Sequence, residues 1–357
     1  MKIGGLTSKN ISLLKFVLMI EVVLIHARIP DSIKIRDICT ENHPIYDTIS
    51  YILGNIVCES AVPLFFFLSG YLFFNTDSLS FGTYKDKIKK RLSTLLIPYL
   101  VWNIITILVY FIVQSFFINF VSSQNKMICN YDFIDYLDAF WSGSCKPLWG
   151  GTPICPQLWF LRDLIVLVLI SPILFYLLKK TPVYFVGILG GLYWIDIISP
   201  IPGFNILSVF FFCLGGYYRI KCKDIISCSN FAMICILYLV LVTINFLFRD
   251  SSYIGYLHRI ILILGGLVML RIGFFIVRRC TLKDVVFWAN SSFFIYVTHN
   301  ILLSFLSKVI FKFITVSDCS LLLVYLFDTI VVSIVGIGMY YIIQNRPLLL
   351  KLLTGGR

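Results

Sequence analysis

Residues 11–29 read ISLLKFVLMIEVVLIHARI. A bilayer's hydrocarbon core needs roughly 20 apolar residues per helix, so this run is long and apolar enough to cross it once. Yet it holds Lys15, Glu21 and His26. Ionisable groups within a span are costly and mark a functional site by default. At about 100° and 1.5 Å per residue, Lys15 and His26 fall on nearly one helix face, about 16 Å apart along the axis. A cation at one end of that face and an imidazole at the other are placed to line one path. Glu21 points elsewhere.

The rest of the chain repeats the same apolar character. Its 357 residues are 59% hydrophobic and only 13% charged, with a mean hydropathy of +0.91. That composition excludes a soluble globular domain and leaves almost nothing for one beside the membrane. The expected fold is an all-α, polytopic membrane helical bundle, one domain over 1–357. About ten transmembrane helices are read near 9–29, 49–74, 93–121, 157–178, 183–200, 204–220, 229–248, 255–276, 285–311 and 319–344. The net charge of +12 follows the membrane rather than nucleic acid. With the amino terminus inside, the inner loops hold 19 of the 30 Lys and Arg residues and the outer side 8. The bias puts both termini in the cytoplasm. Lys2 and Lys9 before an apolar run imitate a signal peptide, but the charges within the run and the lack of an A-x-A site favour an uncleaved first helix.

Eleven cysteines form no C-x-x-C pair and have no histidine at zinc spacing, so no metal site is expected. Cys58, Cys213 and Cys235 read as small core residues. Cys39, Cys129, Cys145 and Cys155 fall in loops assigned to the outside, where an oxidising compartment would let a pair form. The long outer loop, 122–156, includes Asp132, Asp135, Asp138, Trp141, Trp149 and Gly150-Gly151. Within it, Asp132 to Trp141 reads as a short amphipathic helix at the interface.

Polar groups recur at several further places. Glu59 precedes AVPLFFFLSGYLFF (61–74), where Ser69-Gly70 would also suit close helix packing. An unpaired carboxylate there would be costly, so Glu59 is expected either protonated or paired, with His26 and Arg162 as candidates. YKDKIKKRL (84–92) precedes Ile97-Pro98-Tyr99. Its bases anchor the inner face, and Arg91 also offers a fork for phosphates. LWFLRDLIVLVLISP (158–172) carries Arg162-Asp163, which reads equally as an interfacial ion pair or as a site group. FFFCLGGYYR (210–219) has Gly215-Gly216 without a nucleotide-binding fingerprint, and ANSSFFIYVTHNILL (289–303) carries Asn290, Ser291, Tyr296 and His299. Asp196, His258, Arg259 and Asp328 read mostly as interfacial or packing groups.

The order of these segments resembles the membrane-bound acyltransferase-3 family from about Ser8 to Pro347. The matching pieces are Lys15 and His26 at Arg/Lys-(ten residues)-His spacing, VPLFFFLSGYLF, the basic cluster before Pro-Tyr, Trp-Phe-Leu-Arg, and the Ser-Phe-x-x-Tyr-x-x-His segment that ends at His299. Thr94 and Leu95 stand where many relatives have a further arginine, which narrows the phosphate contact to Arg91. The resemblance implies an O-acyltransferase of the inner membrane. Acyl-CoA, foremost acetyl-CoA, would be its cytoplasmic co-substrate, with no bound cofactor. The acceptor would be a hydroxyl of an extracytoplasmic glycan or lipid-linked saccharide, among membrane lipids. The implied roles are His26 and Glu59 in catalysis, Lys15 and Arg91 at the donor, and Arg162 and His299 at the acceptor. A hydroxyl needs a base at neutral pH, and His26 is the group suited to take its proton. Charged spans and Gly/Pro-interrupted helices also fit a transporter or glycolipid flippase, and a nonenzymatic scaffold is a third reading.

Overall fold

The computed structural model describes residues 5–29, 43–75, 80–116, 126–142, 151–197, 201–222 and 230–356. Cys39, Cys145, Trp149 and Gly150 lie outside them. Among the described residues there are helices and no strands. The α-helices are α1 (Gly5–Ala27), α2 (Pro44–Ser50), α3 (Ala61–Phe73), α4 (Phe81–Arg91), α5 (Ile97–Phe116), α6 (Phe133–Trp141), α7 (Trp159–Leu169), α8 (Ser171–Lys180), α9 (Pro182–Trp194), α10 (Ile206–Tyr217), α11 (Phe231–Leu247), α12 (Ile254–Val277), α13 (Leu282–Ile310), α14 (Asp318–Ile343) and α15 (Pro347–Thr354). All ten expected positions carry helix. Among the described residues five continuous helical runs are long and apolar enough to cross a membrane: Thr7–Ala27, Pro44–Phe73, Phe81–Phe116, Ile254–Val277 and Asp318–Ile343. A sixth arises if α7 and α8 count as one span bent by 64°. Pro172 explains that bend. It sits in the first turn of α8, where it starts a helix but cannot continue one. This all-α architecture is that of a multi-pass membrane protein.

The chain forms two compact units, 1–75 with 218–342 and 76–217 with 343–357. In the first, α1 packs against α13, α12 and α3. Its buried residues point in most directions, from Asn10, Ile11 and Leu14 through Leu18, Met19, Val22 and Val23 to Ala27. A helix buried on most of its sides belongs inside a bundle. Two close approaches tighten this unit. A Cβ at Gly273 would fall 2.6 Å from Asn10 Oδ1, where α12 meets α1, and one at Gly336 would fall 2.8 Å from the backbone of Ile295, where α14 meets α13. Asn10 Nδ2 also donates to the Leu270 carbonyl at 3.1 Å.

The run from Pro44 to Phe73 does not keep α-helical winding. Between α2 and α3 it loosens into a π-helical stretch, Tyr51–Val57, and then tightens into a 3₁₀ turn, Cys58–Ser60. Gly54, buried within the π stretch, lies under the α1 backbone, with its Cβ position 3.6 Å from the Leu24 carbonyl.

In the second unit α15 folds against α5. The Trp102 indole donates to the Leu353 carbonyl at 2.9 Å. Gly355, at φ +75°, ends α15 where a side chain would collide with the Thr94 backbone. The expected amphipathic helix is α6. Asp132 and Asp135 close a capping box at its start. Phe133, Ile134, Leu137 and Trp141 are exposed on it. Cys129 and Cys155, two of the four cysteines considered for a disulfide, carry free thiols.

Candidate active site

The first unit carries His26, His299, Lys15 and Glu59 and brings the first two together. His26 lies in the last turn of α1, and its side chain is exposed. Its ring centroid is 5.2 Å from that of His299 on α13. His299 is wholly buried, and its Nδ1 lies 2.7 Å from the Tyr296 carbonyl. A carbonyl accepts only, so Nδ1 carries the proton and the neutral ring keeps its lone pair on Nε2. That Nε2 is buried without a hydrogen-bond partner among the described residues. An unsatisfied buried acceptor typically costs about 1–3 kcal/mol. A neutral imidazole buried against an exposed one is an arrangement that can orient the exposed ring for proton transfer.

Lys15 is half-buried near the middle of α1. The face it shares with His26 is not open along its length. Met19 and Val22 lie on that face between the two and are only 2% and 7% exposed. Lys15 and His26 therefore belong to two ends of a packed helix face rather than to one open groove. Glu21 does turn elsewhere. The residue is 9% exposed, and its carboxyl lies within electrostatic reach of Cys58 and Tyr238.

Glu59 sits in the 3₁₀ turn before α3. Its Oε2 lies 2.7 Å from Nε2 of His258 on α12, so the carboxylate meets neither of the partners considered from sequence. Nothing in the sequence near Glu59 announces His258, which is 199 residues away. Tyr51, Asn55 and Glu59 recur every four residues along the loosened helix. They place a polar stripe beside the end of α1, where Arg28 Nη1 donates to Asn55 Oδ1 at 3.2 Å. Tyr46 of α2 adds another tie: its hydroxyl accepts from the Ile29 amide at 2.8 Å.

Arg162 and Arg91 lie in the second unit. Arg162 Nε and Nη2 donate to Asp163 Oδ1 at 3.3 and 3.1 Å. Its Nη1 donates to the carbonyls of Trp141 and Gly151, both at 2.6 Å. The guanidinium also sits 5.7 Å from the Trp141 ring. Asp163 takes a further hydrogen bond from Ser208 Oγ at 3.3 Å. This buried pair thus pins the end of α6 and the chain around Gly151 to α7. Arg91, at the end of α4, lines an apolar fissure with Ile88, Leu92, Leu95, Ile165, Val168 and Leu169.

Residues 8–341 match a family model described as an acyltransferase domain, the acyltransferase-3 family. A succinoglycan biosynthesis protein, ExoH, of Rhizobium meliloti (strain 1021) is 27% identical over 178 residues. The match covers 49% of this chain and 44% of that protein, so less than half the length of the relative is matched. No solved structure matches. With the family match spanning nearly all of its length, this membrane-embedded chain belongs to the acyltransferase-3 family of acyltransferases.

Proposed function

We propose that this protein transfers an acyl group, foremost acetyl, from cytoplasmic acyl-CoA to a hydroxyl of an extracytoplasmic or lipid-linked glycan. The observation that carries the chemistry is the exposed His26 ring against the buried His299, whose Nε2 has no partner among the described residues. A relative named for succinoglycan biosynthesis supports a glycan acceptor.

In this reading His26 removes the proton of the acceptor hydroxyl as its oxygen attacks the thioester carbonyl. The C–O bond forms, the C–S bond breaks, and the imidazolium returns the proton to the departing thiolate. His299 is too buried to touch a large acceptor. It acts on the acceptor through His26, by packing its ring against the His26 ring. Lys15 receives a phosphate of the donor, and Arg91 carries the fork suited to the same chemistry in its own unit. Lys15 and His26 are about 16 Å apart along the helix, and packed Met19 and Val22 close the face between them, so the donor's thioester reaches His26 by a route other than that face. Glu59 works through its bond to His258, which ties the loosened helix beside α1 to α12. Arg162 serves the acceptor by holding the segment around Trp141 and Gly151 in place.

The test incubates the purified full chain with radiolabelled acetyl-CoA and cell-envelope glycans. Label in the glycan, dependent on the protein, is the expected result. Label that stays on coenzyme A with every glycan offered would contradict acyl transfer.

A further inference from the structure

Two arginines stand near the His26 end of α1. Arg28 follows His26 by two residues, and its Cζ is 5.9 Å from the centroid of the Tyr51 ring. Arg249, just beyond α11, places its Cζ 5.6 Å from the same centroid and 5.2 Å from that of Phe246. The two guanidiniums are therefore at most about 11.5 Å apart. Among the described residues neither has an acidic group within ion-pair distance. The one carboxylate on the same stripe, Glu59, is taken by His258. Arg28 spends a donor on Asn55, and Arg249 is exposed. Each guanidinium lies against the Tyr51 ring, which favours a cation there but carries no charge to answer it.

We propose that Arg28 and Arg249, gathered at Tyr51, form a subsite for an oxyanion on the acceptor, a phosphate or carboxylate of the saccharide. The guanidinium fork matches both groups and is only weakly hydrated, so it gives up its water readily. Tyr51 and Asn55 come from the π-helical stretch, whose loosened winding brings them to the end of α1. Arg28 follows His26 by two residues, so the anion would be held at the same end of α1 as the imidazole. The word acceptor rests on the acyl-transfer reading. The anion does not.

The test is calorimetric titration of the purified full chain, in neutral detergent at low salt, with inorganic pyrophosphate, glucuronic acid and glucose. Binding of at least one of the two anions but not of glucose is expected, and it should weaken as salt is raised. Arg28→Gln and Arg249→Gln should each weaken the anion about tenfold, in line with one charged hydrogen bond. Both should keep the wild-type unfolding midpoint, and Arg249→Lys should recover part of the affinity. Wild-type affinity in both Gln variants, or no anion binding by the wild type, would overturn the subsite. A third arm compares nanodiscs of phosphatidylcholine with nanodiscs containing phosphatidylglycerol. An effect of the arginines seen only with phosphatidylglycerol would assign them to lipid and also overturn it. Anion binding without acyl transfer would sink the enzymatic reading and keep the subsite, whereas transfer without anion binding would do the reverse.

Discussion

At the scale of single residues the site depends on how closely backbones approach. A methyl group at Gly336 would meet Ile295 backbone atoms at 2.8 Å, and backbone cannot rotate aside as a side-chain tip can. Ile295 lies one turn before His299 on α13. Gly336→Ala should therefore cost at least the ~1–3 kcal/mol typical of overpacking. It should also displace His299. The check is a lowered unfolding midpoint in detergent together with slower transfer. Arg91 makes a different prediction. If its guanidinium takes a donor phosphate, Arg91→Ala should weaken acyl-CoA binding about tenfold, the worth of a charged hydrogen bond. The apparent affinity for glycan should not change. Titration with a nonhydrolysable acyl-CoA analogue measures the first, and wild-type donor affinity would leave the basic cluster as an orientation signal alone.

At the scale of elements, α6 is held from its start and from its end. The Asp132–Asp135 capping box satisfies amides at the first turn, and Arg162 and Tyr99 take the carbonyls of Trp141 and Phe140 at the last. Lys126, hydrogen-bonded to Asp135, holds that carboxyl below its usual range. A depressed carboxyl stabilises above its unfolded pKa and loses that contribution as pH falls through the lowered folded value. The cap is thus intact at neutral pH and frays in acid. Asp132→Ala should cost the helix about 1 kcal/mol, seen as faster amide exchange across Phe133–Trp141 with the rest of the chain unchanged. This helix was legible in sequence because its acidic start precedes a periodic apolar run. The 64° bend between α7 and α8 was half-legible, since Pro172 marks the place but not the angle. The π stretch was not. Residues 51–57 read as ordinary apolar helix, and the loosened winding shows only in where Tyr51, Asn55 and Glu59 meet Arg28, Arg249 and His258. The last of these pairings joins residues 199 apart, and no local periodicity encodes a contact at that separation.

At the scale of the whole molecule, the all-α membrane fold was plain from composition and the repeated apolar runs. A topology of ten spans goes beyond the helices themselves, of which five or six runs among the described residues are long and apolar enough to cross. Reporter fusions after residues 80, 140, 180, 224, 280 and 357 should read inside, outside, inside, inside, inside and inside. A cytoplasmic reading at 140 would invert the placement of α6 and of the acceptor side. The site was legible as an assortment of ionisable groups within spans, each costly enough to stand out. What sequence could not supply was their grouping. His26 was placed with Lys15 by helical spacing, but packed Met19 and Val22 separate the two, while His299 arrives from a distant helix. The central claim is that His26 takes a proton during transfer. The most direct measurement is the steady-state rate of acyl transfer by His26→Gln, with its unfolding midpoint recorded alongside. Glutamine keeps the hydrogen bonds but cannot act as the base. A loss of about 10²- to 10⁴-fold at unchanged stability is expected, and near-normal turnover by the glutamine variant would remove His26 from catalysis.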